Sequence, residues 1–245
     1  MTSFVAEAIF AVRQTLAGIL AIIVPETCNV CGRTLVAGEK AMCTSCLMSL
    51  PRTSLHTGGS APQADALART VRLENLWAWF YYRRDSAYAE LIRTAKYRDC
   101  PGLARTLGRM YANELLAADP DVFRHFDVLL PVPMHTFRRL RRGYNQSVEI
   151  ARGISDATGI PVGDNLTARR SHKTQTHRNA EQRARNIAGS ISVCHATELD
   201  GLHVLIVDDV ITTGATIGEC GRALRQSADP GAVSAISLAL TRNNL

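Results

Sequence analysis

The sequence predicts an α/β protein, a parallel sheet covered by helices, with a small four-cysteine module ahead of it. Two observations carry this reading. From Asp127 onward, short apolar runs alternate with stretches of helical periodicity. Near the N-terminus stand two Cys-x-x-Cys pairs, Cys28 with Cys31 and Cys43 with Cys46. Composition agrees: hydrophobic residues make up 46% and charged residues 20%, enough for a core and without the signature of disorder. A chain of 245 residues holds one domain of ordinary size and one or two small appendages. Its formal net charge of +6 suits a phosphorylated small ligand or a nucleic-acid backbone, without choosing between them.

Val5, Ile9, Val12, Leu16, Ile19, Leu20 and Ile23 recur at helical spacing, so residues 1–25 read as an amphipathic helix packed on the protein or on a partner. No basic stretch precedes them, and the unbroken apolar run is far shorter than a membrane span. The expected compartment is the cytoplasm. Pro25 stops this helix, and the cysteine module follows over 26–55. The polar stretch His56–Asp65 reads as a linker.

A flanking segment is expected over 70–126. The aromatic run Leu76–Tyr82 predicts a strand. One helix follows with Tyr88, Leu91, Ile92 and Ala95 on a common face, and a second starts near Pro101 with Leu103, Leu107, Met110 and Leu115 inward. The main α/β domain is expected over 127–245. Its elements are a strand at Val128–Val132, a helix at Gln146–Thr158 ending on Gly159, a strand at His203–Val207, a helix at Ala215–Ser227 and a strand at Val233–Leu240. A polar, basic stretch, Thr167–Asn186, interrupts them.

Seven cysteines are an odd number, and disulfide frameworks belong to short secreted chains, so a disulfide scaffold is the poorer reading. Thiolates two residues apart can both reach one tetrahedral ion, so Cys28, Cys31, Cys43 and Cys46 predict a structural zinc site with every ligand supplied by protein. Cys100, Cys194 and Cys220 show no partner spacing and read as core or surface thiols.

Val204–Thr216 is the most informative stretch. Its apolar start, Val204–Val207, brings a buried strand to the carboxyl edge of the sheet, where open α/β folds bind ligands. Asp208 and Asp209 are then placed to accept hydrogen bonds from vicinal hydroxyls. The turn Thr212-Thr213-Gly214-Ala215-Thr216 opens a helix, whose free amides and hydroxyls can cradle a phosphate.

This order resembles the type I phosphoribosyltransferase signature. The resemblance implies that Asp208 and Asp209 hold the ribose hydroxyls of phosphoribosyl diphosphate (PRPP), and that Thr212, Thr213, Gly214, Ala215 and Thr216 hold its 5′-phosphate. Hypoxanthine-type salvage enzymes usually carry an acidic residue where this chain has Thr212, which argues against such a substrate. With Pro131-Val-Pro133, the string Arg141-Arg-Gly-Tyr-Asn-Gln-Ser147 and the cysteines upstream, the chain is similar to the ComF/GntX family of phosphoribosyltransferase-like competence proteins.

That family pattern implies a type I phosphoribosyltransferase core with a helical hood. It places a pyrophosphate loop at Arg138, Arg139, Arg141 and Arg142, promotes Lys96 to the PRPP site, and puts Gln175, Arg183 and Asn186 in an active-site flap. The implied activity is phosphoribosyl transfer with Mg2+, in which Asp208 and Asp209 position the ribose and stabilise developing positive charge. The alternative is a single-stranded DNA-handling protein of natural transformation that retains a PRPP pocket, its basic loops Arg138–Arg142 and Arg169–Arg185 contacting phosphates. The acceptor and the oligomeric state are open at this point.

Overall fold

A computed structural model of the chain describes residues 25–57, 62–97, 100–134, 143–169 and 189–241. Apart from Pro25, the helix expected over 1–25 lies outside the described residues, as do Arg138, Arg139, Arg141, Arg142, Gln175, Arg183 and Asn186. The chain divides between Ser49 and Leu50 into two compact units.

In the smaller unit the chain doubles back twice, through antiparallel bridges Thr27–Thr34 and Lys40–Met42, and ends in the short helix α1 (Thr44–Met48). Glu39 organises the second turn. Its carboxylate accepts from the amides of Thr44 (2.7 Å) and Val36 (3.0 Å) and from Arg33 (2.7 Å). These amides, with the Arg33 guanidinium, hold its pKa down at about 2.

The larger unit is built on a parallel sheet. Its strands are β1 (Leu76–Tyr82), β2 (Val128–Pro131), β5 (His203–Ile211) and β6 (Ala232–Thr241), in the order β1-β6-β5-β2. β5 is central, flanked by β6 and β2, and Val204–Val207 are fully buried, as an apolar run between two covered faces requires. A small antiparallel pair, β3 (Leu166–Ala168) with β4 (Ile191–Val193), stands apart from it.

The helices are α2 (Pro62–Val71), α3 (Ala89–Tyr97), α4 (Pro101–Ala118), α5 (Gln146–Thr158) and α6 (Ala215–Ser227). α5 and α6 occupy the expected residues, and α5 closes on Gly159 at φ 78°. β2 and β6 match their expected runs to within a residue at each end, the usual uncertainty of an element boundary.

Four departures from expectation have physical causes. β5 runs on to Ile211 instead of stopping at Val207, because Asp208, Val210 and Ile211 continue the ladder opposite Ser237, Ala239 and Leu240. Backbone pairing with β6 outweighs the poor strand propensity of aspartate. The expected linker is helical from Pro62 onward. Ala64, Leu67, Ala68 and Val71 form one stripe that packs into the core, and Arg225 of α6 donates to the carbonyls of Val71 (2.8 Å) and Arg72 at the end of α2.

The flanking segment 70–126 shares the unit of the α/β domain, since β1 pairs along its length with β6. Trp79 of β1 stacks on Tyr111 of α4 at 5.5 Å. The inward face of α4 also differs from expectation: Ala104, Leu107, Gly108, Tyr111, Ala112 and Leu115 are buried, whereas Leu103 and Met110 are half-buried. The contact with α5 is backbone to backbone, so small residues face it.

Gly153 of α5 decides that approach. A Cβ there would lie 2.0 Å from the Arg105 carbonyl oxygen and 2.8 Å from the Arg109 nitrogen. Gly153→Ala must therefore push α4 and α5 apart, at an expected cost of about 1–3 kcal/mol. A urea titration of the purified variant checks this through a lowered midpoint, and an unchanged midpoint contradicts the close packing.

Candidate active site and cysteine cluster

The site grows from the end of β5. Consecutive strand residues send their side chains in different directions, and Asp208 and Asp209 accordingly take different partners. Asp209 pairs with Lys96 from the last turn of α3, Oδ2 to Nζ at 2.9 Å, with 18% and 22% of the two side chains exposed. Asp208 accepts from the Ser147 hydroxyl on α5 at 3.2 Å and from the Asp209 amide at 2.8 Å. Burial, and then the charge of Asp209 beside it, push Asp208 up to about 7, against the opposing pull of the Asp209 amide, Lys96 and Ser147.

Immediately beyond lies the turn into α6. Thr212 and Thr213 are exposed, and Gly214 is buried at φ 74°. Glycine is required there twice over, by the left-handed backbone and because a Cβ would lie 2.2 Å from Leu67 of α2. The Thr241 hydroxyl donates to the carbonyls of Ile211 and Thr212, each at 3.3 Å, and so ties the turn to β6. The first turn of α6 carries no acidic residue, leaving its positive end open to an anion.

The string that precedes α5 proves to be a clamp. Asn145 caps the helix by accepting from the Ser147 amide at 3.1 Å, and its side-chain amide donates to the Val132 carbonyl at 2.9 Å. Tyr144 donates to the Ala95 carbonyl, and Gln146 to the Lys96 carbonyl at 3.3 Å. Sequence reasoning noted these residues as a string and gave them no roles. A capping Asn immediately before a helical run was the available signal for one of them.

The structure thus brings together Lys96, Asp208, Asp209 and the turn Thr212–Thr216, and adds Ser147. A cavity of about 570 Å³ opens nearby, lined by Pro131, Met134, Tyr144, Arg152 and Asp164 among others. Among the described residues, the acid pair does not line it.

In the smaller unit, one sulfur from each of Cys28, Cys31, Cys43 and Cys46 lies within 4.8 Å of all the others. Four sulfurs at about 2.3 Å from a tetrahedral zinc are about 3.8 Å apart, and those of Cys31 and Cys43 are separated by 3.8 Å. The Cys43 amide donates to the Cys28 sulfur at 3.3 Å. The Cys46 amide, with help from Arg33, holds the Cys43 thiol down at about 6. The set is suited to a zinc ion. Cys220 is buried in the core, and Cys100 and Cys194 are half-buried.

Comparison with known proteins runs along the same lines. The family model described as "Phosphoribosyl transferase domain" matches residues 119–241, from the approach to β2 through the end of β6. The chain belongs to the phosphoribosyl transferase domain family. Within it, the chain resembles competence proteins. It is 33% identical to Competence protein F of Haemophilus influenzae over 139 residues, which cover 56% of this chain and 61% of that protein. It is 27% identical to DNA utilization protein YhgH of Salmonella typhimurium over 199 residues, 80% of this chain and 83% of the relative.

Competence protein ComFC of Bacillus subtilis is 24% identical over 157 residues, covering 64% of this chain and 61% of that one. Among solved structures, glutamine phosphoribosylpyrophosphate amidotransferase from B. subtilis aligns with 54% of this chain and 25% of its own, at 25% identity and a TM-score of 0.37. The phosphoribosyl transferase match takes in Asp208, Asp209 and the turn after them, while Lys96 and the four cysteines lie ahead of it. Among the described residues, no helix is long and apolar enough to cross a membrane.

The raised pKa of Asp208 has a consequence for stability. Protonation favours the folded state, so stability falls as pH rises from the ordinary carboxylate range to about 7 and is level above that. Asp208→Asn keeps both accepted hydrogen bonds and removes the buried charge. The variant should resist urea better than the parent at pH 8, with the difference closing as pH is lowered toward ~4. Parallel urea titrations across that range check it, and a pH-independent difference excludes a raised Asp208.

Proposed function

We propose that the chain binds PRPP at the end of β5 and transfers its phosphoribosyl group to a nucleophile. The observation that carries this is that a carboxylate pair and an open helix N-terminus stand in one strand, turn and helix of a phosphoribosyl transferase domain, and that the Lys96 ammonium is brought onto the pair from α3. Asp208 and Asp209 would accept the two ribose hydroxyls. The amides and hydroxyls of Thr212–Thr216 would hold the 5′-phosphate. Lys96, together with Arg141 and Arg142, would neutralise the diphosphate by charge-assisted hydrogen bonds.

In the transfer step the bond from the ribosyl C1 to the diphosphate oxygen breaks and pyrophosphate leaves with the electron pair. The acceptor bonds to C1 and releases its proton to solvent. The acid pair, held beside the ribose, stabilises the positive charge that develops on the sugar. Magnesium suits the donor set, since Asp208 and Asp209 supply hard carboxylate oxygens, and when bound it would neutralise charge on the departing diphosphate.

A second reading is favoured by the names of the relatives, Competence protein F and DNA utilization protein YhgH. In it the chain handles single-stranded DNA through basic loops, and the PRPP pocket serves binding rather than turnover. The net charge of +6 supports either reading.

Calorimetry with PRPP and Mg2+ tests the pocket that both readings share, and release of pyrophosphate from PRPP, expected only of the first, separates them. The double variant Asp208→Asn, Asp209→Asn should remain folded and lose about 1.5–3 kcal/mol of affinity per lost charge-assisted bond. Thr216→Val should weaken ribose 5-phosphate and PRPP alike. Unchanged PRPP affinity in the double variant would count against this pocket in both readings. Single-strand binding that falls steeply with salt, without release of pyrophosphate, would favour the second.

The cysteine cluster is proposed to hold one structural zinc. Elemental analysis of the purified protein should find about one equivalent, and Cys31→Ser should lose it. Full zinc retention in a Cys28→Ser, Cys43→Ser variant would sink the assignment.

A further inference from the structure

The last turn of α3 is held in an unusual way. The carbonyls of Ala95 and Lys96 lie in the last described turn of this helix, which reaches Tyr97. Both accept from side chains at the start of α5: the Tyr144 hydroxyl, just before the helix, donates to Ala95, and the side-chain amide of Gln146, its first residue, to Lys96. Gln146 is itself 1% exposed, so its amide has little freedom to leave. The backbone that carries Lys96 is therefore anchored to the helix that carries Ser147, and Ser147 is bonded to Asp208.

That anchoring aims the Lys96 ammonium at Asp209, 2.9 Å away, with both side chains mostly buried. A fixed cation in this position neutralises Asp209, whose carboxylate would otherwise be open to a divalent ion. A carboxylate oxygen already paired with an ammonium is a weaker metal ligand, and the like charges of an ammonium and a metal ion repel at such distances in a partly buried site.

We propose that Lys96 is the resident counter-cation of the acid pair, held there by Tyr144 and Gln146, and that it excludes a divalent cation from Asp209 in the ligand-free protein. The exchange of partners on substrate arrival rests in addition on the PRPP reading. A diphosphate offers Lys96 a richer anionic partner, so the ammonium would leave Asp209 as the substrate arrives and the metal would enter with the substrate rather than before it. Tyr144 and Gln146 are positioning residues in this scheme and act through Lys96.

Mn2+ titration followed by electron paramagnetic resonance tests this on the full chain without any need for turnover. The parent protein should bind Mn2+ weakly in the absence of PRPP. Lys96→Met should bind it at least about tenfold more tightly, and adding Asp209→Asn should abolish that gain. Tyr144→Phe, which removes only the hydroxyl, should raise Mn2+ affinity by a smaller factor and should add nothing in the Lys96→Met background.

Lys96→Gln, with folding checked by circular dichroism and urea midpoint, guards against a misfolded Met variant. Two results overturn the proposal: tight Mn2+ binding by the ligand-free parent, or no gain in either folded Lys96 variant. Adding PRPP to the parent is a separate arm. If the Lys96 variants gain Mn2+ while PRPP leaves the parent unchanged, the exclusion holds and the PRPP reading fails.

Discussion

Two carboxylates in succession at the end of a buried strand repel one another and resist leaving water, and much of the local architecture answers that constraint. Asp209 has an ammonium group, and Asp208 has a hydroxyl and a backbone amide. None of these partners is near the pair in sequence except the Asp209 amide. Lys96 comes from the helix after β1, and Ser147 from the helix after β2. The chain must fold across the whole of the larger unit before the acid pair is neutralised. The compensation is incomplete for Asp208, whose pKa stays near 7. A carboxyl poised in that range is unfavourable for stability and is a feature of groups that act on ligands.

The parallel sheet is what makes this convergence possible. In a parallel arrangement all strands deliver their carboxyl ends to one edge, and every following loop or helix starts there. β5 has β2 on one side and β6 and β1 on the other, and the helices that follow β2 and β1 both bring a side chain to it. Close helix packing supports the arrangement. Gly108 and Gly153 let α4 and α5 meet at backbone distance, and the capped N-terminus of α5 is thereby held where Ser147 meets Asp208. On α6, Gly214 receives Leu67, so the turn that would hold a phosphate is walled by a helix from far upstream.

The smaller unit obeys different physics. A segment of this size cannot bury enough apolar surface to stand on a core of its own, and Val36 and Met48 remain exposed in it. Its order comes from polar devices: paired cysteines facing one point, short antiparallel bridges, and Glu39 gathering two amides and a guanidinium. Metal binding and folding are expected to be one event in such a unit.

Local pattern was enough to read several features from the sequence. Four-residue runs such as Val204–Val207 are too apolar to be anything but buried strand in this context, and helices with a cap at one end and glycine at the other, as in α5, carry their own boundaries. The two Cys-x-x-Cys pairs and the Asp208–Thr216 segment are likewise local, because the candidate groups in each lie within a few residues of each other. Other features were not legible for the opposite reason. Nothing near Tyr144 or Gln146 in the chain says that their partners are the carbonyls of Ala95 and Lys96, and Lys96 itself is an ordinary helix-end lysine until the fold sets Asp209 against it. The stripe in α2 was hidden by polar neighbours and became a helix only by packing against α6. The sequence alone therefore determined which segments carry the candidate groups, since that depends on short-range pattern. Tertiary structure alone decided which of those groups neutralise one another, since that depends on contacts between residues far apart in the chain, brought together by burial of the sheet.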